Sequence, residues 1–179
     1  HMVCEKHATN VSTNLIVNQF KPPFDNADIR KAMVLTIDRA AFNKILGHGE
    51  FIMSGALLPP PHGVWGMPPE VLKNVAGYHP DVAGNRAQAQ KIMKKLGYGP
   101  DNPLKIKVAT RNIAIYRDPA VLLIDHLKEI YIEGELDTVE TSNWHAKVAR
   151  KDYQVGLNLT GIGVDEPDAV SYTHLTLPT

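Results

Sequence analysis

The sequence is short of cysteine, of net charge and of long apolar runs, and each shortage removes a class of answer. The single Cys4 excludes an intrachain disulfide and reads as a bystander near one end rather than a nucleophile. Nineteen basic residues balance nineteen acidic ones, so no global field draws the chain to nucleic acid or to an anionic membrane. Any partner must be recognised at a local site. No apolar run approaches the roughly 18 residues of a membrane-spanning helix. The first residues show no charged-then-apolar leader.

Signatures of the common enzyme classes are missing as well. There is no G-x-x-x-x-G-K-[ST], no G-x-G-x-x-G opening a helix, no H-E-x-x-H and no G-x-S-x-G. The eight histidines are scattered from His1 to His174, with no pair four residues apart, so neither a metal site nor a cofactor is expected. Carboxylate pairs such as Asp118 with Asp125, or Glu129 with Glu133, are explained by helix caps and solvated helix faces.

What the chain does hold is an ordinary globular balance, 179 residues with 44% apolar and 21% charged content. At this length a single domain buries about two-thirds of its unfolded surface. His1-Met2 is expected to be a cloning remnant. Residues 171–179, SYTHLTLPT, carry no charge and no cap; they resemble a translated sequencing adapter and are expected to be a non-native tail, with a short native strand as the alternative. The expected single domain is residues 3–170.

Residues 13–19, TNLIVNQ, read as a short buried strand, which Pro22-Pro23 stops. Asp25 or Asn26 caps a helix with Ile29, Met33 and Ile37 on one face. Asp38 caps a second, running from Arg39 to Leu46 and stopped by Gly47. Residues 47–84 are irregular, since five prolines and two glycines within residues 56–71 exclude a continuous helix or a central strand. This loop is expected to be pinned by Leu57, Leu58, Val64 and Trp65, the tryptophan being an anchor or a ligand platform. From residue 85 a helix faces inward through Ala89, Ile92, Met93 and Leu96 and stops at Gly97. Leu104, Ile106 and Val108 then alternate with lysines in a half-exposed strand. Asp118-Pro119 is expected to start the next helix as N-cap and first turn, lined by Leu123, Leu127 and Ile130. A strand at 134–141, a short helix at 142–151 carrying Trp144 and Val148, and a strand at 153–160 complete the pattern. The order predicts an α/β layer with helices packed on a sheet.

One stretch carries chemistry. LTGIGVDEPDAV, residues 159–170, leaves an apolar strand through two glycines and arrives at Asp165, Glu166 and Asp168. A strand end lightened by glycine admits a second backbone, and a neighbouring carboxylate can hold an ammonium group. On these residues alone an ordinary acidic turn explains the stretch at least as well. An enzyme reading would instead set Asp165, Glu166 or Asp168 against His145 or Tyr153.

The segment NLIVNQFKPPFDNADIRKAMVLTIDRAAFNKILGHG resembles that shared by family 5 extracellular solute-binding proteins, the peptide, nickel and opine receptors of bacterial ABC importers. The family pattern is an asparagine-bearing strand, P-P-F-D, a helix with R-x-A, and a following A-I-D-R. Asn18, Pro22, Pro23, Phe24, Asp25 and Arg30 match it, as do Ala32, Ile37, Asp38 and Arg39, with Thr36 replacing the usual small residue. AQAQKIMKKLGYG is similar to the family's A-x-x-L-L-x-x-A-G-Y, and HLKEIYIEGELDTVETSNW continues the likeness, with Tyr131 where a glycine is usual. The resemblance covers about residues 12–170.

The resemblance implies a mixed sheet flanked by helices, like the C-terminal lobe of a type II periplasmic-binding-protein fold, truncated from a longer two-lobed receptor. It implies no enzyme activity. GIGVDEPD is similar to the G-x-D-Y-x-[DE]-P motif of peptide-binding relatives, with Val164 before the acid and Glu166 in place of tyrosine. By that likeness Asp165 holds the peptide's amino group, while Gly161, Ile162 and Gly163 pair with its backbone. The implied ligand is a dipeptide or oligopeptide; the alternatives are chelated nickel, an opine, an oligosaccharide, or a self-associating domain without a transport ligand. The implied partners are the missing N-terminal lobe and an ABC permease, in a periplasmic or extracellular, lipid-anchored or secreted receptor. A lone lobe is expected to bind weakly or not at all.

Overall fold

A computed structural model describes residues 11–55, 57, 60, 61 and 63–161. Leu58, Ile162, Gly163, Asp165 and the expected tail at 171–179 lie outside the described residues. The elements run β1 (Val11–Val17), α1 (Ala27–Thr36), α2 (Arg39–Leu46), α3 (Pro69–Leu72) and α4 (Val82–Lys95). They continue with β2 (Leu104–Arg111), α5 (Ala114–Lys128), β3 (Ile132–Val139), α6 (Thr141–Ala149) and β4 (Val155–Gly161). The strands form one mixed sheet in the order β1-β4-β2-β3, with β1 antiparallel to β4 and the other neighbours parallel. This is the expected α/β architecture.

The chain passes from β2 through α5 to β3 at an edge, then back through α6 and past β2 to β4. Because such crossovers are right-handed, an outward step and a return step place their helices on opposite faces. On one face α5 joins α1 and α4 over Leu104, Ile106 and Val108, and Met33, Met93 and Leu127 fill the space between. Each such buried side chain contributes about 1.5–3 kcal/mol. On the reverse face α6 lies against β2, and its Trp144 is buried apart from that main cluster.

The proline-rich entry to α1 is a structural corner. Phe24 is fully buried, and the Asn26 side chain accepts the Asp28 N–H at 2.8 Å to cap α1. Arg30 donates to the carbonyl oxygens of Phe24 and Asp25, at 2.6 and 3.0 Å, which ties the corner to the helix it starts. Asp38 caps α2 by accepting the Ala41 N–H at 2.9 Å. Next to it Arg39 donates to the Gly77 carbonyl, and its guanidinium sits 3.9 Å above the Tyr78 ring. The corner thereby holds down the far end of the long loop.

Three expectations give way. The α5 helix begins at Ala114, not at Asp118, and Pro119 lies buried inside it. Its start is set by backbone, since the Tyr116 and Arg117 N–H groups both donate to the Ile113 carbonyl, and Asp118 is left exposed beside Arg117. Val64 and Trp65 do not pin the loop, being 75% and 57% exposed; Leu72 of α3 is the buried anchor. Helix α4 starts three residues early, because Asp81 accepts the Gly84 N–H at 2.9 Å. A side chain at position 84 would press on that carboxylate, which would have to turn to keep the cap.

Candidate functional site at the carboxyl ends of the strands

The chain leaves β2 toward α5 on one face and β3 toward α6 on the other, the reversal above which open α/β sheets form a crevice at the carboxyl ends of the strands. Open α/β sheets bind ligands at such reversals. The last two residues of β2 divide the work by alternation. The Thr110 hydroxyl turns inward, donating to the Leu157 carbonyl at 3.0 Å with the Tyr116 carbonyl also in reach at 3.2 Å. Arg111 consequently faces the crevice.

Both layers hold the Arg111 guanidinium. It lies 4.8 Å from the centroid of the Tyr116 ring of α5, and Nη1 donates to the Tyr116 hydroxyl at 3.4 Å. Nη2 lies 3.2 Å from Nε2 of His145 on α6. The loops are joined beneath it: the Asn112 N–H donates to the Val139 carbonyl at 3.0 Å, and the Asn112 side chain donates to Glu140 at 3.4 Å. The crevice is therefore headed by one half-buried cation with acceptors around it.

Two buried polar atoms here have no hydrogen-bond partner among the described residues, Nε of Arg111 and Oδ1 of Asn158. Val108 lies opposite Val155 and Ala109 opposite Gly156, and two further steps in that register bring Arg111 level with Asn158. Native interiors leave few such groups unpaired, and here a donor and an acceptor stand on adjacent strands. On the outer side Asn14 of β1 donates to the Thr160 hydroxyl at 2.9 Å, extending the polar surface across the sheet.

Among the residues named from the sequence, Gly161 is exposed at the end of β4 and paired with Val11. Among the described residues, a side chain there would meet Val11, at 3.5 Å. His145 stands at the crevice. Tyr153, whose phenol burial pushes above its ordinary pKa, lies beyond the other end of β4, roughly 25 Å from Gly161 along an extended chain. The crevice thus does not bring His145 and Tyr153 together. Arg111 belongs to no recognisable motif; the sequence signal for it is Thr110-Arg111-Asn112, a polar triplet ending an apolar alternation just before a helix.

Elsewhere, His126 is buried between α1, α2 and α5, its Nδ1 accepting the Asp38 N–H at 3.3 Å. Burial and then the Arg86 charge hold its pKa below the ordinary value, against the opposing pull of Asp38, Asp125 and Glu129. No cluster of three or more potential metal ligands occurs among the described residues. Two open hollows lie away from the strand ends. One, of about 360 Å³, lies between Asp25, Ile29 and Tyr98, and the other, of about 370 Å³, lies between Pro61, Leu72 and Tyr78.

A family model described as bacterial extracellular solute-binding proteins, family 5 Middle, matches residues 3–178. The periplasmic oligopeptide-binding protein OppA of Haemophilus influenzae is 29% identical over 96 residues, covering 51% of this chain and 16% of OppA. The crystal structure of that protein in complex with RPPGFSPFR superimposes with a TM-score of 0.77 at 20% identity, covering 94% of this chain and 33% of that one. The murein tripeptide binding protein MppA of Escherichia coli gives a TM-score of 0.76 at 19% identity, covering 91% of this chain and 31% of that one. The likeness in structure establishes a common fold, and the chain spans about a third of these solved relatives.

Proposed function

Because this chain belongs to the family 5 extracellular solute-binding proteins, we propose that it is a ligand-binding lobe of an ABC-importer receptor that captures peptides. The observation that carries this reading is the Arg111 guanidinium, held by Tyr116 and His145 over the reversal of the sheet and level with Asn158 of β4. A guanidinium offers a planar fork of donors matched to carboxylate geometry, so Arg111 receives the peptide's carboxylate. Asp165 takes its amino group, and Gly161, Ile162 and Gly163 pair with its backbone, giving affinity independent of ligand side chains. The remainder of the receptor closes over the ligand, and removal of water strengthens both ion pairs. Delivery is to a membrane permease, which sets the receptor in the periplasm or outside the cell. Oligopeptide and tripeptide binding by the relatives named above supports the ligand class.

A single lobe leaves the ligand half in water, so binding is weak. Titration of the ¹⁵N-labelled chain with tri-alanine, followed by NMR, tests this. The expected result is a set of shifts centred on Arg111 and Gly161, with a dissociation constant on the order of millimolar. Arg111→Ala and Asp165→Ala should each weaken it about tenfold, or ~1.4 kcal/mol. Micromolar affinity would refute the weakness of the lone lobe, and saturable binding that leaves Arg111 and Gly161 unmoved would refute the site.

A further inference from the structure

The contact between Arg111 and His145 constrains the imidazole. A guanidinium has donors and no acceptor, so at 3.2 Å from Nη2 the Nε2 atom of His145 must be the acceptor. The ring is therefore neutral, with its proton on Nδ1. A proton added at Nε2 would set two cations against one another, and an anion arriving between them would reverse that repulsion. Among the described residues, the other charged and titratable groups around this ring are these. Arg111 reaches it from β2, with Tyr116 of α5 behind the guanidinium. Glu140 stands at the foot of α6 and is engaged by Asn112. Lys147 and Arg150 lie further along α6, and Lys147 is neutralised by Asp137 of β3 at 3.4 Å and Asp152 at 3.9 Å.

We propose that His145 is a second donor to the ligand's carboxylate, binding a proton from solvent when that carboxylate engages Arg111. The inference rests on the receptor reading above and names the device that tunes that site. The incoming carboxylate draws Nη2 away from the imidazole, Nε2 is freed, and the protonated ring then donates to the same carboxylate. The proton comes from solvent, less than one per ligand on average because the uptake is confined to part of the pH range, and no other group is required to change charge. Affinity accordingly rises as pH falls through the histidine range, while the ligand carboxylate stays ionised.

The test is the affinity of this chain for tri-alanine, and for tri-alanine amide, from about pH 8 to about pH 5.5. His145 is exposed, so His145→Gln, which retains an acceptor, leaves the fold intact. Tri-alanine should tighten about fivefold on the wild-type chain as pH falls, the gain of one ion pair in water-like surroundings. It should change little on His145→Gln, and the amide should show no response on either protein. The same tightening in His145→Gln, or the same tightening for the amide, overturns the proposal, and so does a flat wild-type profile, while the receptor reading stands. Absence of tri-alanine binding at every pH removes both.

Discussion

His126 ties three helices together through one ring nitrogen and one carbonyl. Its Nδ1 accepts from Asp38, its backbone oxygen accepts from the Thr36 hydroxyl at 2.9 Å, and the Phe42 ring meets it edge-on at 5.2 Å. Because burial and Arg86 depress its folded-state pKa, the unfolded chain binds more protons in the window just below 6.5. The stability due to neutral His126 is complete above about 6.5 and is lost as pH falls toward the folded value. In urea unfolding, the wild-type advantage over His126→Gln should therefore shrink on acidification across that window. A different residue stores backbone strain: Tyr131 sits at φ +65°, between α5 and β3. An ordinary side chain there costs about 1 kcal/mol that glycine avoids. Tyr131→Gly should accordingly melt above Tyr131→Ala, the reverse of the usual order.

At the scale of elements, what could be read in advance was what is local. A cap acts within three residues of the N–H it accepts, so Asn26 and Asp38 mark α1 and α2 without knowledge of the rest of the chain. Asp38→Ala should lose about 1 kcal/mol through the cap alone. The start of α5 was illegible for the converse reason. Ile113 has no capping side chain, and Asp118-Pro119 imitates a first turn that the backbone has already made. The crevice was harder still, because Arg111, Tyr116, His145 and Asn158 meet only through a parallel register and two crossovers. The loop before α4 is fastened at Gly77, whose φ is +81° and where a Cβ would strike the Val34 carbonyl oxygen. Gly77→Ala should destabilise by about 2–3 kcal/mol and open the loop to limited proteolysis.

At the scale of the molecule, the two faces differ in how far they are covered. Phe51, Val64, Trp65 and Val71 expose 51–75% of their surface along one loop, a concentration that favours association. Sedimentation over a concentration series should show reversible association of this chain, reduced in Trp65→Ser; a concentration-independent monomer would refute it. The reverse face of the sheet is polar and balanced, with Lys105 opposite Glu133 and Lys107 opposite Glu135 across the β2–β3 pair, and such cross-strand pairs contribute a few tenths of a kcal/mol each. The pairing of Val11 with Gly161 has a further consequence. The first and last described residues of the sheet are immediate neighbours, so the chain enters and leaves the described sheet side by side. A unit of that shape can be spliced into a longer polypeptide as a cassette, the host chain being interrupted by little more than the spacing between two strands.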